Sequence, residues 1–145
     1  MFTYEEAVTI YKTQFFGGRK KDHPDKKRLT FPYGIKYKDD TFVEVQFPLE
    51  LIEVRLKQPE LVPQYVESVK NEADFPAVWY SIGRKLSNGD ISLHWNRKVL
   101  VVDGFHRTQA HKISGKKTIK CVMPKSHWEF FNTLEVRSYE LYCKN

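Results

Sequence analysis

The sequence predicts a single compact α+β domain, a mixed α/β structure. Three observations carry that expectation. Strand-like and helix-like segments alternate along the chain without the regular βαβ repetition of a parallel sheet. The length, 145 residues, fits one domain. Hydrophobic residues make up 41% of the chain, with ten Phe, eight Tyr and three Trp, enough to fill one core.

The elements follow in order. Thr3 and Glu6 have the spacing of a capping box, and Ala7, Val8, Tyr11 and Phe15 recur at helical spacing behind them. Gly17-Gly18 is expected to end that helix. Phe31–Asp40 reads as a short hairpin or loop, broken by Pro32, Gly34 and Asp39-Asp40. Phe42–Phe47 is strand-like and Pro48 interrupts it; Leu49–Val54 is a second strand or a connecting turn. Pro59 opens a helix over Glu60–Asn71. Phe75–Ile82 is an apolar, aromatic run expected to be a buried strand. Ser87–Asp90 is a turn with an Asn-Gly step, followed by strands at Ile91–Trp95 and Lys98–Val102. His106–Ser114 is a helix with Gly115 as its C′ residue, and Thr118–Met123 is the last strand. Ser126 and Glu129 form a second capping-box pattern, heading a helix that carries Trp128, Phe131 and Leu134. The expected organisation is an N-terminal helix and basic loop (1–40), a main domain (41–124) and a C-terminal extension packed on it (125–145).

The bulk chemistry narrows the function classes. No apolar run approaches the roughly 18 residues that span a bilayer, and the acidic start of the chain lacks a secretory apolar core. Cys121 and Cys143 have no metal-ligand or redox spacing, so free thiols and a cytoplasmic location are expected. His23, His111 and His127 show no ligand spacing with one another, so no metal site is expected. His94-Trp95 is expected to be a core or edge pair on its strand. The net charge of +6 favours anionic partners: a nucleotide, DNA or an acidic protein. Arg19, Lys20, Lys21, Lys26, Lys27 and Arg28 fall in one ten-residue stretch of net charge +4, which is either a solvated loop or a nucleic-acid-binding tract.

The chemistry concentrates at Val99–Gly115. An apolar strand ends at Asp103-Gly104 and a helix begins at once, with Phe105, His106, Arg107 and Thr108 in its first turn. Such a helix start offers unpaired N–H groups and a positive dipole end to an anion. Arg107 supplies a fork suited to phosphate oxygens, and His106 a donor or an acid/base. Gly104 permits a sharp turn and close backbone approach. Asp103 could orient Arg107 or His106, hold magnesium, or cap the helix. The competing reading is structural: His106, Ala110 and Ile113 share a helix face that could be the core side.

Asp103-Gly104-Phe105-His106-Arg107 resembles the Asp-Gly-x-His-Arg signature of the ParB/sulfiredoxin superfamily. Gln46–Val54, Glu60–Lys70, Phe75–Ile82 and Lys112–Met123 resemble the family's other segments in the same order, so about Thr41 to Pro124 is covered. The resemblance implies a nucleotide- or phosphate-binding domain with Gly104, His106, Arg107 and Thr108 at the phosphates and Arg55 near the nucleotide, although Arg55 could equally be a surface charge. ATP or CTP with magnesium are the implied cofactors, with Asp103, His106 and Glu53, or Glu60, available for phosphate hydrolysis or transfer. Sulfiredoxins have a catalytic cysteine where this chain has Phe105, so that activity is not expected. Free-serine kinases of the superfamily need a carboxylate near Leu56, and none is there. Only 21 residues follow Pro124, expected to be too few for the DNA-reading domain of partition proteins. Other members act as nucleases or as plasmid and phage factors that engage a host protein, and these are the alternative readings.

Overall fold

The structure is a computed structural model that describes residues 1–18, 31–52, 78–93 and 99–133. The expected helix at Glu60–Asn71, the basic stretch Arg19–Arg28, Glu53, Arg55, Glu60 and the His94-Trp95 pair lie outside the described residues. The described elements confirm the α+β class. They run β1 (Phe2–Thr3), α1 (Tyr4–Gly18), β2 (Thr41–Pro48), β3 (Val78–Ser81), β4 (Gly83–Lys85), β5 (Ile91–Leu93), β6 (Leu100–Asp103), α2 (Phe105–Ile113), β7 (Thr118–Pro124) and α3 (Lys125–Thr133). Short 3-10 turns occupy Ile35–Tyr37 and Leu49–Leu51.

Five strands form one sheet in the order β1-β2-β7-β3-β6, and β4 and β5 form a separate hairpin. The longest pairing is β2 with β7, antiparallel from Phe42 opposite Pro124 to Pro48 opposite Thr118. Pro48 therefore closes β2 instead of interrupting it. A proline is tolerated there because a strand end need not donate into the ladder. β3 pairs parallel with β7 and antiparallel with β6, which makes the sheet mixed.

Alternation along the strands distributes side chains to two faces. Val78, Tyr80, Val101, Ile119, Cys121, Met123 and Phe47 enter one core, completed by Trp128, Phe130 and Phe131 of α3 and Phe105 of α2. Trp79, Val122 and Phe42 enter a second core, covered by Ala7 and Tyr11 of α1 with Tyr33 and Tyr37. That second core is an aromatic cluster: Phe31 meets Tyr4, Tyr11, Phe42 and Trp79 edge-on at centroid distances of 5.2 to 5.9 Å. Edge-on pairs of this kind contribute about 0.5–1.5 kcal/mol each beyond their buried area. Much of the aromatic content expected for a core is thus used as one.

Local signals explain the helix ends. Thr3 Oγ1 accepts from the Glu6 N–H and Glu6 Oε1 accepts from the Thr3 N–H, both at 3.1 Å, as the capping box predicts. Gly115, at φ 74°, closes α2: the Lys116 N–H bonds the His111 carbonyl and the Gly115 N–H bonds that of Lys112. The second capping box is not formed. α3 starts at Lys125, so Ser126 lies inside its first turn and donates to Asp40 Oδ2, while Glu129 faces Lys125 at 3.5 Å. The Ser87–Asp90 turn does join two strands, but β4 was not expected from its sequence. Among the described residues no helix is long and apolar enough to cross a membrane.

Candidate functional site

β6, the strand at one edge of the sheet, ends at Asp103, and Gly104 turns the chain into α2. At φ 112° and ψ 29°, Gly104 has a backbone conformation that side-chain-bearing residues rarely adopt. A Cβ there would lie 2.5 Å from Val78 Cγ1 and 2.7 Å from Val78 Cβ. The glycine is therefore required by packing against β3 as well as by the turn. Its Cβ direction is filled by Val78.

The first turns of α2 are buried although their residues are polar. Arg107 and Thr108 are fully buried, and His106 and His111 are 8% and 3% exposed. Of the His106, Ala110 and Ile113 face expected on the core side, His106 and Ala110 are buried and only Ile113, 57% exposed, is not. The buried residues of the helix are His106, Arg107, Thr108, Ala110 and His111. A buried polar helix face is informative because apolar residues would have filled that position at lower desolvation cost.

Several of these buried polar groups have a defined partner. Arg107 Nη2 donates to Asp103 Oδ2 at 3.1 Å, so Asp103 orients the guanidinium across the turn. Thr108 Oγ1 donates to the Gly104 carbonyl at 2.8 Å, and the Thr108 N–H reaches the same oxygen at 2.9 Å. The Tyr80 hydroxyl lies 2.6 Å from Thr108 Oγ1. Since the one hydroxyl proton of Thr108 is committed to Gly104, Tyr80 is the donor in that contact. His111 Nδ1–H donates to the Arg107 carbonyl at 2.8 Å, which fixes the imidazole's tautomer. Burial pushes the Tyr80 phenol well above its ordinary range, so it stays a donor throughout the physiological range.

The structure thus brings together four of the expected site residues, Asp103, Gly104, Arg107 and Thr108, and places His106 beside them on the first turn. Thr108 is fully buried and braces the turn through the Gly104 carbonyl. Tyr80, Val78 and His111 belong to the same constellation and were missed. His111 stands one helical turn after Arg107, and strand alternation puts Val78 and Tyr80 on one face, but only the pairing of β3 with β6 shows that they meet α2. Gly104 as N-cap brings no side-chain acceptor to the start of the helix. Among the described residues no group of three His, Cys, Asp or Glu could hold a metal ion. No family model, curated protein or solved structure matches the chain.

Proposed function

We propose that the chain is a ParB/sulfiredoxin-like domain that binds a phosphate-bearing ligand, a nucleotide in the first instance, at the turn between β6 and α2. The observation that carries this reading is the fully buried guanidinium of Arg107, held by Asp103 in the first turn of a helix that starts directly at a strand end. Burying an arginine costs several kcal/mol unless its surroundings compensate, and here the Asp103 carboxylate at 3.1 Å compensates it and fixes the guanidinium beside the positive end of the helix dipole. Phosphate oxygens would meet the first-turn N–H groups and His106. Arg107 would act from behind them as a guanidinium held in a fixed orientation by Asp103. Tyr80 and Thr108 would hold the Gly104 carbonyl, and with it the angle at which the helix presents its N–H groups.

The proposal is for binding. Asp103 is already engaged by Arg107 through Oδ2, which makes it a poor magnesium ligand by itself, and Glu53 and Glu60 lie outside the described residues. The test is equilibrium binding of labelled ATP and CTP, with magnesium present, to the wild-type chain and to Arg107→Ala and His106→Ala. Thermal melts of each variant separate lost binding from lost folding. The expected result is at least about a tenfold loss of affinity in a folded variant, as for removal of one charge-assisted contact. Equal affinity in wild type and both folded variants would remove the phosphate site from this turn.

A further inference from the structure

The far end of α2 carries a second feature that the β6–α2 turn does not use. A cleft of about 650 Å³ opens between the end of β2 and the start of β7, lined by Pro48, Leu49, Glu50, Lys112, Lys116, Lys117 and Thr118. Its two walls are tied together by the Leu49 N–H, which bonds the Lys117 carbonyl at 2.9 Å. The Lys112 ammonium donates to the Ile52 carbonyl and is thereby fixed at the wall. The turn that closes α2 sets where Lys116 and Lys117 leave the backbone. Among the described lining residues three lysines stand against one carboxylate, Glu50. The negative end of the helix dipole does not cancel this, because the last carbonyls are already bonded within the closing turn.

We propose that this cleft is a second anion site, which takes consecutive phosphate groups of a nucleic-acid strand or of a free polyphosphate chain. Lysine suits this role as a strongly hydrated point charge without the planar fork that selects one oxygen geometry. The volume lies within the range of small-ligand sites, about 300–1,000 Å³. Pro48 and the buried Leu49 supply an apolar floor, and the described lining contains no aromatic ring on which a base could stack. Recognition is therefore of phosphates, without base preference. The site is separated from the β6–α2 turn by the nine residues of α2, about 13 Å of helix. It does not depend on a phosphate being bound there.

The test uses the full chain and a fluorescent oligothymidylate, read by anisotropy across a salt series. Wild type is compared with the Lys116→Gln/Lys117→Gln pair, whose side chains are exposed, so the fold is retained. The expected result is binding weakened at least about tenfold and a log–log salt slope shallower by about 1.4, two single-strand phosphate contacts. The Lys116→Arg/Lys117→Arg pair restores binding. Inorganic triphosphate that displaces the oligonucleotide identifies a free polyphosphate as the ligand. Failure to displace it identifies the strand. Binding and slope unchanged in the glutamine pair, or no binding of either probe to wild type, overturns the proposal. His106→Ala distinguishes the two sites, since it is expected to weaken ATP or CTP at the turn and leave oligothymidylate affinity as in wild type.

Discussion

At the scale of single residues, Gly104 is the position with the least freedom. Any side chain there meets two independent penalties. The φ of 112° lies where an L-residue is strained by about 1–2 kcal/mol. The new Cβ would also press on Val78 at 2.5 Å, and overpacking a core costs about 1–3 kcal/mol. Gly104→Ala is therefore expected to destabilise the chain by roughly 3 kcal/mol, read from the shift in urea midpoint. The Val78→Ala/Gly104→Ala pair removes the clash and leaves the backbone strain. It is expected to be less destabilised than the sum of its single variants, with a coupling of about 1 kcal/mol or more. Strict additivity would mean that Val78 yields without cost and that backbone strain alone accounts for the single variant. Neither penalty was legible in the motif. Glycine in Asp103–Arg107 reads equally well as room for a ligand, and the partner that fills the room is Val78, 26 positions earlier. The Asp103–Arg107 pair was legible, because the i,i+4 spacing across a helix start places the two side chains on one face.

At the scale of elements, what was legible is what local chemistry determines. α1 starts where Thr3 and Glu6 cap each other, and the helix is held to the sheet by Tyr11 packed edge-on against Trp79 at 5.5 Å. Thr3→Ala is expected to cost about 1 kcal/mol, within the usual range for an N-cap. Glu6→Gln retains the reciprocal bond and is expected to cost less than Glu6→Ala, with denaturant midpoints as the readout. Equal losses in the two Glu6 variants would assign the effect to charge at the helix start and not to the capping bond. The same pattern at Ser126 and Glu129 misled because a competing acceptor existed elsewhere in the fold. Asp40 takes the Ser126 hydroxyl and also the Lys85 ammonium at 3.1 Å, so it joins α3 to the end of β4. β4 itself is Gly-Arg-Lys, short and polar, and becomes a strand only because Ile91–Leu93 lies opposite. On α2 only Ile113 departs from the expected inward face, for a related reason. Apolar periodicity assigns Ile113 to the core, whereas Asp103, Gly104 and Tyr80 draw the polar residues of the first turns inside.

At the scale of the whole molecule, the interior contains several acids that are kept in their neutral form, and this sets how the protein meets alkali. Burial raises Tyr33 and Tyr80 well above the ordinary phenol value of 10, Tyr37 to about 12, and the Cys121 thiol well above its ordinary value of 9. The hydroxyls also take part in the bonds on which the packing depends: Tyr33 donates to the Tyr80 carbonyl at 2.6 Å, and Tyr37 accepts at 2.7 Å from Nε2–H of the buried His127, whose Nδ1 accepts from the Ile82 N–H. For a raised acid the folded state keeps a proton that the unfolded chain releases. These groups therefore contribute their stability in full below pH 9, and it is lost as the pH climbs through the alkaline range. Each can lower stability by up to about 1.4 kcal/mol per pH unit between its unfolded and folded values. Of these four groups Cys121 acts first, from pH 9, and the three tyrosines join it above 10. Urea midpoints measured stepwise from neutral pH to pH 12 are expected to fall gently after 9 and steeply after 10. The tyrosinate absorbance of the buried phenols should rise only together with unfolding. Cys121→Ala opens a small cavity and is expected to be less stable at neutral pH, yet flatter between pH 9 and 10. A midpoint that holds steady to pH 11 would show that these phenols and the thiol ionise in place. In that event the two cores that frame the β6–α2 turn would admit water far more readily than their burial implies.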